Sequence, residues 1–259
     1  MKKNTFSKIY LWVILFIIYI PLFITVIYSF NASRLSISWE GFTLDWYKEL
    51  FEDKYIWDAL FNSLFLAVAS SIIGMIIGLT GALWNVKNSV AFLPKLTKKL
   101  AILPLMIPEI ILGIVFLAIF NSIDLPFGML TLVLAHSSFT IPYNYMLINT
   151  RLMEQREHID NAAKDLGATD FQVFRDITLP FLKPAILSGL ILSFAMSFDD
   201  VIISTFVTGA TVNTLPVKIF SMLKTGVSPT INALSSILLA VLLFGLILVR
   251  LINRGEKHT

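Results

Sequence analysis

The chain has 259 residues, 56% hydrophobic and only 14% charged, with a net charge of +3 and no cysteine. Soluble domains carry about 45–50% apolar and about 25% charged residues, so a disordered chain and an ordinary soluble enzyme are excluded, as are disulfides, thiolate metal sites and a cysteine nucleophile. A mean hydropathy of +0.80 and a pI near 9.0 fit a membrane protein whose basic residues face anionic lipid; they form no continuous stripe of the kind nucleic acid needs.

Taken in chain order, residues 9–33 carry no charge, and a helix is expected near 9–30. About 20 residues cross roughly 30 Å of hydrocarbon. Its basic start resembles a signal peptide, but the apolar run is too long for one, so it is expected to remain as an anchor. Residues 31–58 hold six acidic residues together with Trp39, Trp46, Tyr47, Phe51 and Trp57. An amphipathic helix near 43–53 lying in the membrane interface is the simpler reading, and a landing surface for an external partner is the functional one. Residues 59–86 are again free of charge, giving a second helix near 60–83. The third, near 100–120, is interrupted by Glu109 and by Pro104 and Pro108. The fourth, near 127–149, contains His136, which reads as a hydrogen-bonded packing residue rather than a proton relay, with Asn144 and Tyr145 as further polar positions. The fifth, near 184–207, contains Asp199 and Asp200. Residues 208–230 read as a loop broken by Gly209, Pro216, Gly226 and Pro229, and the sixth helix lies near 231–250. The apolar runs are continuous rather than alternating, so strands are not expected.

The expected fold is all-α: one polytopic membrane domain over residues 1–259 with six transmembrane helices. Fifteen of the 20 Lys and Arg fall at the N-terminus, in the loops after the second and fourth helices, and at the C-terminus. By the positive-inside rule both termini are expected to be cytoplasmic.

The loop at 150–183, between the fourth and fifth helices, reads Asn161-Ala162-Ala163-Lys164-Asp165-Leu166-Gly167, then nine residues, then Ile177-Thr178-Leu179-Pro180. This suggests two short helices broken at Gly167, with Asp160 or Asn161 capping the first. Ala162, Ala163 and Leu166 share one face. A surface amphipathic hairpin would look similar.

The pattern resembles the EAA motif of importer-type ABC permeases, E-A-A-x-x-x-G, nine residues, I-x-L-P. Asn161 stands where that family usually has glutamate. Further segments resemble the spermidine/putrescine branch of the family: Ser197-Phe198-Asp199-Asp200-Val201, Phe206-Val207-Thr208-Gly209, Leu215-Pro216-Val217-Lys218-Ile219, Gly226-Val227-Ser228-Pro229-Thr230-Ile231-Asn232-Ala233-Leu234, Tyr28-Ser29-Phe30-Asn31 and Gly41-Phe42-Thr43-Leu44-Asp45-Trp46-Tyr47. The resemblance implies a type I importer permease in a bacterial inner membrane, with Asn161, Ala162, Ala163, Leu166 and Gly167 in a helix that docks into a groove on a cytoplasmic ATPase. It implies a sister permease, two ATPase copies that bind the ATP, and an extracytoplasmic substrate-binding protein. No cofactor is expected in this chain.

Each carboxylate inside a bilayer costs about 2.5–3.5 kcal/mol on insertion scales, so such groups line cavities or find partners. No Lys or Arg lies in the interior of the expected spans, Arg250 standing at the very end of the sixth, to neutralise Glu109, Asp199 or Asp200. One reading is a protonated carboxyl donating to a carbonyl freed by proline. The other is a path for a cationic substrate, since amines need carboxylate acceptors. On a continuous helix Ser193, Ser197, Asp200 and Ser204 recur at spacings of 4, 3 and 4, forming a polar face that places Asp200, rather than Asp199, towards the path. Counting residues from the helix ends puts Glu109 about 15 Å and Asp200 about 25 Å into the membrane, an offset of roughly 10 Å that suits stepwise passage of a polyamine.

Two rival classes remain. A standalone ion-coupled transporter would make the loop spacing coincidental. A membrane-embedded enzyme finds no H-E-x-x-H or G-x-S-x-G here, and no phosphate-binding G-x-x-x-x-G-K-[ST] is present for the chain to be an ATPase itself.

Overall fold

The computed structural model describes residues 5–34, 38–87, 99, 101–154, 162–225 and 229–255. Of the fifteen basic residues that set the expected orientation, Lys2, Lys3, Lys95, Lys98, Arg156 and Lys257 lie outside them, as do Asp160 and Asn161 of the loop motif. Every described element is helical, and β pairing among the described residues is limited to an isolated bridge between Asn31 and Phe42. The order is α1 (Thr5–Tyr28), α2 (Asp45–Glu52), α3 (Lys54–Lys87), a 3-10 turn (Leu103–Met106), α4 (Glu109–Ser122), α5 (Met129–Glu154), α6 (Asp170–Val173), a π turn (Phe174–Thr178), α7 (Leu179–Phe198), α8 (Ile202–Val207), α9 (Leu215–Thr225) and α10 (Pro229–Gly255).

Among the described residues, three helical stretches are long and apolar enough to cross a bilayer unaided: Lys8–Tyr28, Lys54–Val86 and Asp170–Phe198. Glu109–Ser122 and Pro229–Gly245 are shorter apolar helices. Helices suit this composition because each satisfies its own backbone hydrogen bonds where no water is present.

The chain divides into two compact units, Met1–Ile56 with Ile219–Thr259, and Trp57–Lys218. In the first, α1 exposes the consecutive residues Ile9, Tyr10, Leu11 and Trp12, hence its whole circumference, as a lipid-facing span does. The expected amphipathic helix forms at Asp45–Glu52, and it packs on α10 with Trp46 and Leu50 buried. Trp46 Nε1 donates to Asn31 O at 2.7 Å, the Ser29 and Tyr47 hydroxyls lie 2.7 Å apart, and Phe30 stacks on Phe42. Trp46 and Tyr47 are thus spent on packing within the chain, while Trp39 and Phe51 are exposed.

In the second unit α5 is the central element. Leu132, Ala135 and Phe139 meet Leu66 of α3, Phe120 of α4 and Ile203 and Val207 of α8. One turn after another further on, Tyr145, Ile148 and Leu152 meet Met75 and Ala82 of α3 and Leu182 and Ala185 of α7. The interior is rich in small polar groups, with Ser70, Thr131, Thr140, Asn144, Ser193 and Ser204 all fully buried. Apolar side chains face outwards. This is the distribution expected where lipid is the solvent and polar groups join helices.

Three expectations differ from what is found. The helix expected near 100–120 is broken at Ile107 and Pro108, because neither Pro104 nor Pro108 has an N–H to continue the ladder. The helix expected over 184–207 is instead two, α7 and α8, separated at Asp199–Val201. Residues 215–225, read as loop, form α9: Pro216 sits in its first turn, where no N–H is needed, and Ser63 Oγ accepts from Leu215 N–H at 2.8 Å.

Candidate functional site

Both breaks bring carboxylates to one place. A cavity of about 550 Å3 in the second unit is lined by Glu109, Asp199 and Asp200, with Pro108, Phe139 and Tyr143 among its walls. Among the described residues no Lys or Arg lines it.

The carboxylates stand in different electrostatic settings. Glu109 is exposed in the first turn of α4, where the positive end of the helix dipole favours it. Asp199 is exposed at the last turn of α7, its N–H bonded to Ala195 O at 3.2 Å. There the carbonyl end of the helix opposes a negative charge and welcomes a cation. Among the described residues neither side chain has an ion pair or a hydrogen bond. Asp200 is held differently. Its side chain is 7% exposed, Oδ1 accepts from Ile203 N–H at 3.2 Å and Oδ2 from Ser204 N–H at 2.8 Å. These two N–H groups would otherwise have bonded the carbonyls of residues 199 and 200, so the Asp200 side chain both breaks the helix and starts α8.

Asp200 thus caps the start of α8, and Asp199, expected to face away from the path, lines the cavity with it. Ser193 and Ser197 do not. Ser193 is fully buried and its Oγ accepts from Asn144 Nδ2 at 2.7 Å. Ser197 Oγ lies 2.7 Å from His136 Nδ1 and 2.9 Å from Ser70 Oγ. The polar face read at spacings of 4, 3 and 4 meets α5. Counting depth along unbroken helices does not apply here, since each helix breaks at its carboxylate.

His136 is fully buried, and its Nε2 lies 3.0 Å from Ser204 Oγ and 3.4 Å from Asp200 Oδ2. That pairing spans 64 residues of sequence, and nothing in the local pattern signals it.

The loop motif forms a second site. Helix geometry ends at Gly167 with φ of +91°. Gly167 N–H donates to Lys164 O at 2.9 Å and Ala168 N–H to Ala163 O at 3.0 Å. This pair of bonds closes a helix end in which the left-handed residue is normally glycine. The next helix starts with a reciprocal cap, Thr169 N–H donating to Gln172 Oε1 at 2.7 Å and Gln172 N–H to Thr169 Oγ1 at 3.3 Å. Lys164 Nζ pairs with Asp170 Oδ1 at 2.9 Å across the turn. Ala162 is exposed and Ala163 half-buried. Leu166 is 90% exposed, an apolar side chain held into solvent by a defined turn. The expected break at Gly167 is present, but the helix after it does not end short: it runs on from Asp170 to Phe198. Asn161 is outside the described residues.

Residues 70–258 match the family described as "Binding-protein-dependent transport system inner membrane component". The spermidine/putrescine transport system permease protein PotC of Haemophilus influenzae is 36% identical over the whole of both chains. Its namesake from Escherichia coli (strain K12) is 38% identical, covering 92% of this chain and 90% of that one. The putrescine transport system permease protein PotI of Escherichia coli (strain K12) is 39% identical, covering 93% and 88%. Among solved structures, a chain of a bacterial ABC transporter involved in import of the acidic polysaccharide alginate superposes with a TM-score of 0.71 at 14% identity, over 96% of this chain and 94% of that one. A chain of the MetNI methionine ABC transporter in an inward-facing conformation gives 0.64 at 16% identity, over 78% and 98%. At these identities the likeness is one of fold.

Proposed function

The chain belongs to the family of binding-protein-dependent transport system inner membrane components, and from that premise we propose that it is the membrane-spanning subunit of an ATP-driven polyamine importer, taking spermidine or putrescine. It forms half of the translocation path in a bacterial inner membrane, with six spans and both termini in the cytoplasm. A sister permease supplies the other half, two ATPase copies bind and hydrolyse ATP, and an extracytoplasmic protein delivers the substrate. The chain itself carries out no bond-breaking chemistry.

The observation that carries this reading is the cavity lined by Glu109, Asp199 and Asp200 and, among the described residues, by no Lys or Arg. Polyamines are chains of ammonium groups, and each ammonium donates to carboxylates and rests on aromatic faces such as those of Phe139 and Tyr143. The same cavity repels an acidic polysaccharide, so the fold shared with the alginate importer does not carry over its substrate. Asp199 contributes most, since a cation there relieves both its own charge and the exposed carbonyls ending α7. Asn161, Ala162, Ala163, Leu166 and Gly167 form the surface that takes up the ATPase. Differential contact of that surface in two ATPase states is what opens the path alternately to each side.

Uptake of labelled spermidine by cells expressing the whole transporter tests the reading. Replacing both Glu109 and Asp199 (E109Q with D199N) removes two charged acceptors and lowers the initial rate about tenfold or more. Unchanged uptake at equal membrane levels of the complex removes the cavity from the path.

A further inference from the structure

We infer that a furrow running between α5 and α7, away from the carboxylate cavity, is a second substrate site, hydroxyl-lined and weak, which receives the polyamine past Tyr143; the inference rests on the cavity being the substrate path. The furrow has a volume of about 690 Å3 and lies in the same unit as the cavity. Leu105 and Tyr143 form walls of both. One face of α5 carries the two spaces in succession, with Phe139 and Tyr143 at the cavity, then Leu147, Thr150 and Glu154 along the furrow. Steps of 4, 4, 3 and 4 residues keep to one side of a helix, here over about 22 Å. The facing side of α7 does the same, with Asp199 and Met196 at the cavity and Leu192 and Ser188 along the furrow.

The hydroxyls identify what the furrow holds. On apolar helices elsewhere, exposed hydroxyls fold back onto their own helix. Thr80 Oγ1 donates to Ile76 O at 2.8 Å, Ser138 Oγ to Leu134 O at 2.7 Å and Thr205 Oγ1 to Val201 O at 2.6 Å. A hydroxyl against lipid has no other acceptor. Thr150 and Ser188 are exposed helix residues too, yet among the described residues neither they nor Tyr143 make a side-chain hydrogen bond. Three hydroxyls left open along one furrow suit a polar occupant rather than an acyl chain or an apolar helix face.

The charge of the furrow suits a substrate that must leave. Among the described residues Glu154 is its one carboxylate, and Arg151 Nη1 pairs with Glu154 Oε2 at 2.6 Å while the guanidinium lies 4.1 Å from the centre of the Phe181 ring. The pair cancels. Ammonium groups held by three carboxylates in the cavity therefore meet neutral hydroxyl oxygens and the Tyr143 ring beyond it. Conduction needs sites strong enough to fill and weak enough to empty, and the cavity and the furrow divide those two requirements between them.

This chain has no cysteine, so an introduced thiol reports on one position. T150C, S188C, T80C and S138C are made in the whole transporter. Membrane vesicles are treated with a water-soluble cationic thiosulfonate or with a neutral one of similar size, and the parent complex treated alike accounts for thiols in other subunits. Each complex is then reconstituted, and uptake of radiolabelled spermidine is expressed relative to the same variant untreated. The cationic group on T150C or S188C lowers uptake about tenfold or more, because a fixed cation repels every arriving ammonium. The neutral group costs markedly less, and T80C and S138C stay unmodified. Either furrow position suffices should the other variant not assemble. T150C and S188C as unreactive as T80C and S138C would show lipid or a helix in the furrow, and equal loss with both reagents would show that charge is not what is read; each overturns the second site. In those cases reduced uptake in E109Q with D199N leaves the cavity reading standing, and unchanged uptake there removes both.

Discussion

A Cβ built on Gly78 would stand 2.8 Å from Asn144 Cβ and 2.9 Å from Tyr145 N, so the backbones of α3 and α5 are in direct contact at this level. From α5 Asn144 Nδ2 donates to Ser193 Oγ of α7 at 2.7 Å, and Gly189 leaves the space that its side chain fills. Three helices therefore meet around one asparagine, with glycine on both sides of it. Small residues at such crossings allow close approach in lipid, where no hydrophobic force drives helices together.

This crossing predicts a contrast within one helix. Gly78→Ala places a methyl group against backbone that cannot yield and destabilises the protein by about 1–3 kcal/mol. Gly81→Ala meets only Tyr145 Cδ2, at 3.7 Å, and is tolerated. Thermal unfolding of the detergent-purified complex separates the two. Equal melting temperatures would show that α3 and α5 do not pack this closely.

The turn at Gly167 predicts a separation of stability from coupling. Leu166 is 90% exposed, so Leu166→Asp removes no packing within this chain and leaves its amount in the membrane unchanged. An apolar anchor lost from a docking surface lowers recovery of the ATPase on co-purification about tenfold or more. Gly167→Val acts through the backbone instead: space around the position is open, but its φ of +91° is strained for a β-branched residue. It also reduces ATPase recovery. Undiminished recovery in both variants would place the ATPase contact elsewhere.

Much of this was legible in the sequence, and the failures have physical causes. Charge-free runs located the helices, because only a continuous apolar run lies at ease in lipid. Gly167 marked its turn because the αL backbone there favours glycine. The mixture of acidic and aromatic residues around 43–53, Trp46 among them, located α2. The break at Asp199–Val201 was hidden because no proline or glycine marks it; the signal was an aspartate three and four residues ahead of the N–H groups it caps. The three carboxylates were conspicuous as charges out of place, but their sharing of one cavity depends on both breaks. The His136–Asp200 pairing depends on α5 lying against α7 and α8, a tertiary relationship that helix periodicity cannot carry. Ser193 and Ser197 were read as a polar face, and the face is real; what it meets is Asn144 and His136.

The central claim is that this chain passes a polyamine only as part of an ATP-driven complex. The most direct measurement reconstitutes the complete complex in liposomes with ATP inside and labelled spermidine, loaded on the binding protein, outside. The account predicts accumulation that requires internal ATP and falls when the cavity carries E109Q with D199N. Accumulation without ATP, or by this chain alone in the liposome, would contradict it.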